Sequence, residues 1–249
     1  MKKLEGKTAI VTGASKGIGA AIAKAYSAEG ARVIVNYASD KEGAERVVDA
    51  IIESGGEAKA VQANLTKDED IKRLFSEAHE TFGKLDILVN NAGIYEFLPI
   101  EKVSTDHFHK QFNLNVLAVA LSVQEALQYF TAEGGSIINI SSGAATYAGA
   151  GASVYSATKA ALNTLSISLS RELGARNIRV NVISPGMIET EGFHAAGING
   201  SDFHKEVEAA TPLGRIGRPE DIAPVAVFYA SEDSGWVSGE VTLVSGGQR

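Results

Sequence analysis

Seven short apolar runs, separated by longer amphipathic stretches, constrain the fold of this chain more than any other feature. The runs cover 8–11, 32–35, 58–62, 87–89, 136–140, 179–183 and 241–244. Apolar residues follow one another within them without polar alternation, the pattern of strands covered on both faces. Helical patterns lie between most of them, so strand–helix–strand units repeat. That predicts an α/β architecture: a doubly wound parallel sheet with helices on both faces. No linker, internal repeat or low-complexity tract interrupts the 249 residues, so 1–249 is expected to be one domain. One stretch departs from the regularity. Residues 186–213 combine several glycines with two histidines and two phenylalanines, and a loop of that length is expected to be a functional lid.

Charge and composition exclude several functions. The net charge is −7, which argues against nonspecific nucleic-acid binding and against an anionic membrane surface. There are no cysteines, hence no disulfide and no thiolate nucleophile or metal ligand. The apolar run after the charged amino terminus is too short for a signal segment or a membrane span, so a cytoplasmic location is expected.

The first run leads into Thr12-Gly13-Ala14-Ser15-Lys16-Gly17-Ile18-Gly19, and a helix follows. Glycines at such a turn let the backbone approach a pyrophosphate, and the helix amino terminus offers free N–H groups and a positive dipole end. The spacing is G-x-x-x-G-x-G, so the usual G-x-G-x-x-G fingerprint fits only approximately, and a plain tight turn is the alternative. The second run ends in Asn36-Tyr37-Ala38-Ser39, with no acid where an NAD site places one for the ribose hydroxyls. A carboxylate would repel a 2′-phosphate. Its absence, with Lys16 as a point charge and Asn36 and Ser39 as hydrogen-bond donors, favours NADP(H) over NAD(H).

Reaction chemistry is concentrated later. Tyr155 and Lys159 stand four apart in a helical run, so they share one face. A neighbouring ammonium lowers a phenol's pKa and makes it a general acid for a developing alkoxide. Ser142 follows the fifth run. None of the histidines falls in a triad motif, so Ser142 reads as a hydrogen-bond partner for a substrate oxygen, not as a nucleophile. His107 and His109 lack a carboxylate at metal spacing, and no metal site is expected. Asn91, Ala92 and Gly93 close the fourth run, where ligands bind in such sheets, although an Asx turn explains them equally well locally. Asn115, inside a helical pattern, reads as a residue that bends the helix or binds water.

Thr12-Gly13-x-x-x-Gly17-Ile18-Gly19, Asn90-Asn91-Ala92-Gly93, Asn115, Ser142 and Tyr155-x-x-x-Lys159 occur together and in order. The set resembles the short-chain dehydrogenase/reductase family over essentially the whole chain. Pro185-Gly186 with Thr190, and Ser245-Gly246-Gly247, are similar to its later landmarks. The resemblance implies a Rossmann-type seven-stranded sheet and a homotetramer or dimer, with the helices of Asn115 and Tyr155 as subunit contacts. It implies Tyr155 as acid/base, Lys159 lowering its pKa and binding the nicotinamide ribose, and Ser142 holding the carbonyl oxygen. Asn115 would fix a water in a proton relay. Asn91 and Gly93 would line the cofactor cleft, and Ile188 and Thr190 would bind the carboxamide. Where the family often has Asp-Val after the third strand, this chain has Asn64-Leu65, and the Asn64 amide is expected to accept from the adenine amine.

The implied activity is NADPH-dependent reduction of a small-molecule ketone to a secondary alcohol. Tyr147, Met187 and Phe193, with Tyr95, Phe97 and Phe203, are candidates for an apolar substrate pocket. Alternatives are a 3-oxoacyl reductase, a sugar dehydrogenase or a non-catalytic NADP-binding regulator. Arg176 resembles a carrier-docking residue. Yet residues 131–135 lack a basic side chain and the net charge is −7, which weakens the carrier-protein reading. An intact Ser142, Tyr155 and Lys159 argues against the regulator.

Overall fold

Alternate residues of each central strand go to opposite sides of one sheet, which is why the apolar runs are continuous. The structure is a computed structural model that describes residues 2–195, 197 and 199–248; positions 196 and 198, within the expected lid, lie outside the described residues. The strands are β1 (Thr8–Val11), β2 (Arg32–Tyr37), β3 (Glu57–Gln62), β4 (Ile87–Asn90), β5 (Gly135–Ile140), β6 (Ile178–Pro185) and β7 (Val241–Val244). The helices are α1 (Gly17–Ala28), α2 (Lys41–Glu53), α3 (Asp68–Phe82), α4 (Thr105–Phe112), α5 (Ala118–Ala126), α6 (Ser153–Leu173), α7 (Glu191–Ala195), α8 (Asp202–Ala210) and α9 (Pro219–Ala230). Ala9 and Val11 of β1 pack with Ile22 and Tyr26 of α1 and Ile222 of α9. Ile10, between them, packs with Leu74 and Phe75 of α3 and Val123 of α5 on the other face. The chain is thus a single-domain, Rossmann-type α/β fold.

The seven strands are parallel, in the order β3-β2-β1-β4-β5-β6-β7. The edges depart furthest from full burial: β3 alternates towards solvent and β7 is half-buried throughout. The order reverses between β1 and β4, so the loops leaving their carboxyl ends diverge and open a crevice. The glycine turn 13–19 leaves β1 there, and Asn91–Gly93 leaves β4 beside it.

Two irregularities shape the site. Between α4 and α5 the helix passes through a π turn, Asn113–Leu117, with Asn115 buried inside it; such turns are rare and mark functional positions. The lid expected over 186–213 is less irregular than its composition implies. It contains α7 and α8, and Ser201 caps α8 by accepting from the His204 amide at 3.1 Å. Of the glycines in this stretch, Gly192 lies inside α7, while Gly197 and Gly200 take left-handed backbone at φ +68° and +74°. Among the described residues, no helix is long and apolar enough to cross a membrane.

Candidate active site

The glycine turn is held by side chains, not merely permitted by glycines. Thr12 Oγ1 donates to the Val89 carbonyl (3.1 Å) and accepts from the amides of Asn91 (2.9 Å) and Ala92 (3.0 Å). Asn91 Nδ2 donates to the carbonyls of Thr12 (2.9 Å) and Gly13 (3.0 Å). The packing leaves no room for side chains: a β-carbon on Gly13 would lie 2.9 Å from Ala92 Cα, and one on Gly19 2.5 Å from Asn91 Nδ2. Asn91 is therefore a strut between β4 and the turn, where the sequence reading has it lining the cleft.

Asn36 is corrected in the same way. It is buried, its Oδ1 accepts from the Gly13 amide (3.2 Å), and its Nδ2 donates to the carbonyls of Val61 (3.3 Å) and Ala63 (3.2 Å). Those bonds tie three strand ends together and leave it no donor for a 2′-phosphate. Ala38 and Ser39 are exposed beyond it, and Tyr37 is half-buried against the core. Lys16 is exposed, with its Nζ 3.8 Å from Asp40 Oδ2. Asn64 Oδ1 accepts from the amide (3.1 Å) and hydroxyl (2.9 Å) of Thr66, so the acceptor expected to meet an adenine amine is occupied locally. Leu65 is a core side chain, 5% exposed.

The amino terminus of α1 is built for an anion. Lys16, at its N-cap, makes no side-chain capping bond, and the first turn has no acid, although α2 is capped by Asp40. Ser15, Gly17 and Ile18 are half-buried around it. The Gly17 amide donates to Glu191 Oε2 at 3.0 Å. The chain's own carboxylate thus stands where helix amides favour negative charge. The bare glycine cradle, the uncapped helix and this stand-in anion fit a dinucleotide phosphate.

Tyr155 and Lys159 share a face of α6, with Lys159 Nζ 5.9 Å from the centre of the Tyr155 ring. Lys159 is buried and its Nζ donates to the Ile140 carbonyl at 2.9 Å. Burial lowers its pKa to about 8. The Tyr155 phenol departs from expectation: its pKa is pushed up. Burial outweighs the lowering influence of the hydrogen bond from Ser142, and Tyr95 adds to the rise. Lys159 does not offset this, because its ammonium lies over the ring and is engaged by a carbonyl.

Ser142 ends β5 and accepts from the Ala144 amide (3.2 Å) at the start of a short helical turn, 143–145. Tyr147 folds its hydroxyl over Gly143, where any β-carbon would collide with it. That hydroxyl is buried with no partner among the described residues, and burial raises its pKa. Asn115 is again a strut. Its Nδ2 donates to the Ile94 carbonyl (2.9 Å) and Thr158 Oγ1 (3.0 Å), and its Oδ1 accepts from the Ile94 amide (2.9 Å). Thr158 Oγ1 in turn donates to the Tyr155 carbonyl (2.7 Å). Both N–H donors of the Asn115 amide are spent, so they do not hold the relay water expected of this residue. Gly93 presents bare backbone to Asn115 and Lys159: a β-carbon there would lie 3.1 Å from Asn115 Oδ1 and 3.6 Å from Lys159 Nζ.

Above these groups, Tyr95 and Phe97 set their rings edge-on to Tyr155, with centroids 6.3 and 5.8 Å away. From the lid side, Met187 and Ile188 lie in a segment paired to Gly217. Thr190 lies against Gly17, its Cγ2 3.3 Å from where a β-carbon would stand. Pro185 is buried at the end of β6, and Gly186 pairs with Val244. Phe193, expected in the pocket, is 4% exposed and packs edge-on to His194 and His204 as the lid's own core. Phe203 points out, 53% exposed. Sequence reasoning missed the roles of Thr12, Gln111 and Glu191, because a threonine, a helical glutamine and a lid glutamate carry no spacing signal.

Comparison with known proteins agrees with this geometry. Residues 13–249 match a family model described as enoyl-(acyl carrier protein) reductase. The chain is 54% identical to an uncharacterized oxidoreductase of Methylorubrum extorquens, over 100% of both chains. It is 40% identical to a versicolorin reductase of Emericella nidulans, covering 98% of this chain and 96% of the relative. Among solved structures it superposes with a TM-score of 0.91 on a blue fluorescent protein from a metagenomic library in complex with NADPH, at 36% identity over 98% of each chain.

Proposed function

The chain belongs to the short-chain dehydrogenase/reductase family of oxidoreductases acting on CH–OH and C=O groups, and on that premise we propose that it is an NADPH-dependent ketone reductase with Tyr155 as proton donor. The observation that carries this reading is the convergence of Ser142, Tyr155 and Lys159 beside the β1/β4 crevice, with the glycine cradle opening onto the same space.

When bound, the reduced nicotinamide supplies a hydride to the carbonyl carbon. The chain's residues do the rest. Ser142 donates a hydrogen bond to the carbonyl oxygen and holds it at the Tyr155 hydroxyl. As the carbonyl π pair moves onto oxygen, Tyr155 gives its proton to the forming alkoxide, and the product is a secondary alcohol. The raised phenol pKa suits this direction, since Tyr155 is fully protonated at neutral pH and an alkoxide is far more basic than a phenolate. Lys159, with its pKa near 8, carries its charge at pH 7 on the same face of α6. Tyr147 holds a buried hydroxyl, without a partner among the described residues, against Gly143, a candidate second donor for a polar substrate group.

Lys16 supports NADP(H) over NAD(H) as an exposed point charge beside the end of β2, although Asp40 shares it. The name of the versicolorin reductase supports reduction as the direction of reaction. A second reading, reduction of a 3-oxoacyl thioester, shares with the matching family description only its acyl carrier, since that description names an enoyl substrate. Against it, Arg176 is committed to the Leu127 carbonyl at 2.7 Å, and the net charge of −7 disfavours an acidic carrier.

The test is oxidation of NADPH and of NADH in the presence of aryl ketones, acetoacetyl thioesters and glucose. Turnover of the ketones with NADPH is expected. Turnover of the thioester alone would install the second reading, and NADPH binding with no turnover of any substrate would point to a regulator.

A further inference from the structure

Two side-chain amides from one helical rod grip alternate residues of an extended segment beside the catalytic tyrosine. Gln111, in α4, is fully buried. Its Oε1 accepts from the Glu96 amide (3.2 Å) and its Nε2 donates to the Glu96 carbonyl (3.1 Å). Asn115, four residues on, makes the same pair of bonds to Ile94, both at 2.9 Å. Each amide exchanges both main-chain bonds with its residue, as a neighbouring strand does at its hydrogen-bonded pairs.

The segment therefore behaves as a strand whose neighbour is a helix. Successive side chains of an extended chain alternate sides, so Tyr95 and Phe97 emerge together. They are 47% and 55% exposed, with ring centres 5.9 Å apart, and both rings stand edge-on to Tyr155. Neither buries its ring in the core. Two adjacent exposed rings held next to a reacting group form a flat apolar surface that wants a flat partner.

We propose that Gln111 is a positioning residue that fixes Tyr95 and Phe97 as an aromatic wall, and that the wall selects planar aryl ketones over small aliphatic ones. This rests on the ketone-reductase reading for its substrate class, whereas the clamp itself is independent of it. Asn115 lies too close to Tyr155 to separate specificity from catalysis. Gln111 touches none of Ser142, Tyr155 and Lys159, so it isolates the effect.

The experiment compares wild type with Gln111→Met, which keeps the volume and removes both bonds to Glu96 along with the contact to His107 Nε2 (3.1 Å), leaving the Glu96 carbonyl only the His107 ring at 3.3 Å. In the NADPH-loaded protein the Glu96 amide should exchange with solvent at least about tenfold faster in the variant. The KM for α-tetralone should rise about tenfold, with kcat within about twofold and with the KM for 2-butanone and the NADPH Kd unchanged. In a Tyr95→Leu/Phe97→Leu background the Gln111 effect should vanish, because the two act through one surface. Equal KM changes for both ketones, full effect in the wall-less background, or unaltered Glu96 exchange would each overturn the proposal. Should Gln111→Met fail to fold, Gln111→Glu keeps the acceptor and loses only the donor, and the same KM split should appear at about half the logarithmic size. If wild type reduces no ketone, the reductase reading fails alone. Calorimetric binding of α-tetralone to the NADP⁺-loaded protein then decides the wall, with about tenfold weakening expected in Gln111→Met and no binding to wild type refuting it.

Discussion

The two halves of the cleft are built by opposite rules. On the β1/β4 side the side chains of Thr12, Asn36 and Asn91 together make nine hydrogen-bond contacts to the main chain of neighbouring strand ends and the glycine turn. On the β5/α6 side polar groups stand unsatisfied or desolvated. The Tyr147 hydroxyl has no partner among the described residues, the Tyr155 phenol is pushed above its ordinary pKa, and Lys159 is pushed below its own. The first half is a rigid frame for a ligand that is always the same. The second holds its groups in unfavourable states that a substrate oxygen relieves. Buried unpaired polarity is costly, and the Tyr147 hydroxyl shares it with groups elsewhere in the fold, among them Asn90 Oδ1 and Ser122 Oγ.

The sharpest way to break this contrast is Tyr155→Phe. Turnover should fall by roughly 10²–10⁴-fold, while the NADPH Kd, measured by fluorescence titration, stays within about twofold; retained activity would remove the proton-donor assignment. Next in size is Gly19→Ala, which drives a methyl into Asn91 Nδ2 and the Gly13 carbonyl. It should cost about 1–3 kcal/mol of stability by denaturant melt and weaken NADPH binding, with kcat at saturation preserved. A frame that tolerates the methyl would not be rigid.

The pH dependence tests the other half. The folded pKa of Lys159, near 8, lies below the ordinary 10.5. Below pH 8 both folded and unfolded chains hold the proton, and the folded chain bears the full desolvation cost. Between about 8 and 10.5 the folded chain releases it first, so this group's contribution to stability improves as pH rises. Wild type should therefore gain on the order of 1–3 kcal/mol relative to Lys159→Met between pH 7 and pH 10, and parallel stability curves would show the ammonium to be solvated. The smallest effect belongs to Glu191→Gln. It removes the carboxylate from the amino terminus of α1, and the NADPH Kd should tighten by roughly three- to tenfold. An unchanged Kd would mean that Glu191 does not compete for that position.

Much of the fold was legible because burial leaves a local signature. Runs such as 8–11 and 136–140 announce their strands, since a strand covered on both faces has no polar alternation to confuse. Asn36, Asn91 and Asn115 show where that reading ends. An asparagine at a strand end or inside a helix looks the same whether it faces a ligand or braces a loop, and all three make bracing bonds to the main chain. The Lys159 effect on Tyr155 was misjudged for a related reason: spacing fixes which face two residues share, but not whether water or a carbonyl reaches them.

The sequence by itself determined the parallel α/β architecture, the glycine turn on β1 and the shared face of Tyr155 and Lys159. Each of these follows from periodicities within one element or from the needs of one turn. Only the tertiary structure decided that Gln111 grips Glu96 and that Glu191 reaches Gly17 across 174 residues of chain. It also decided that Tyr95 and Phe97 stand edge-on to the phenol. Hydrogen bonds and desolvation depend on what the whole chain brings into contact, and no local pattern encodes that.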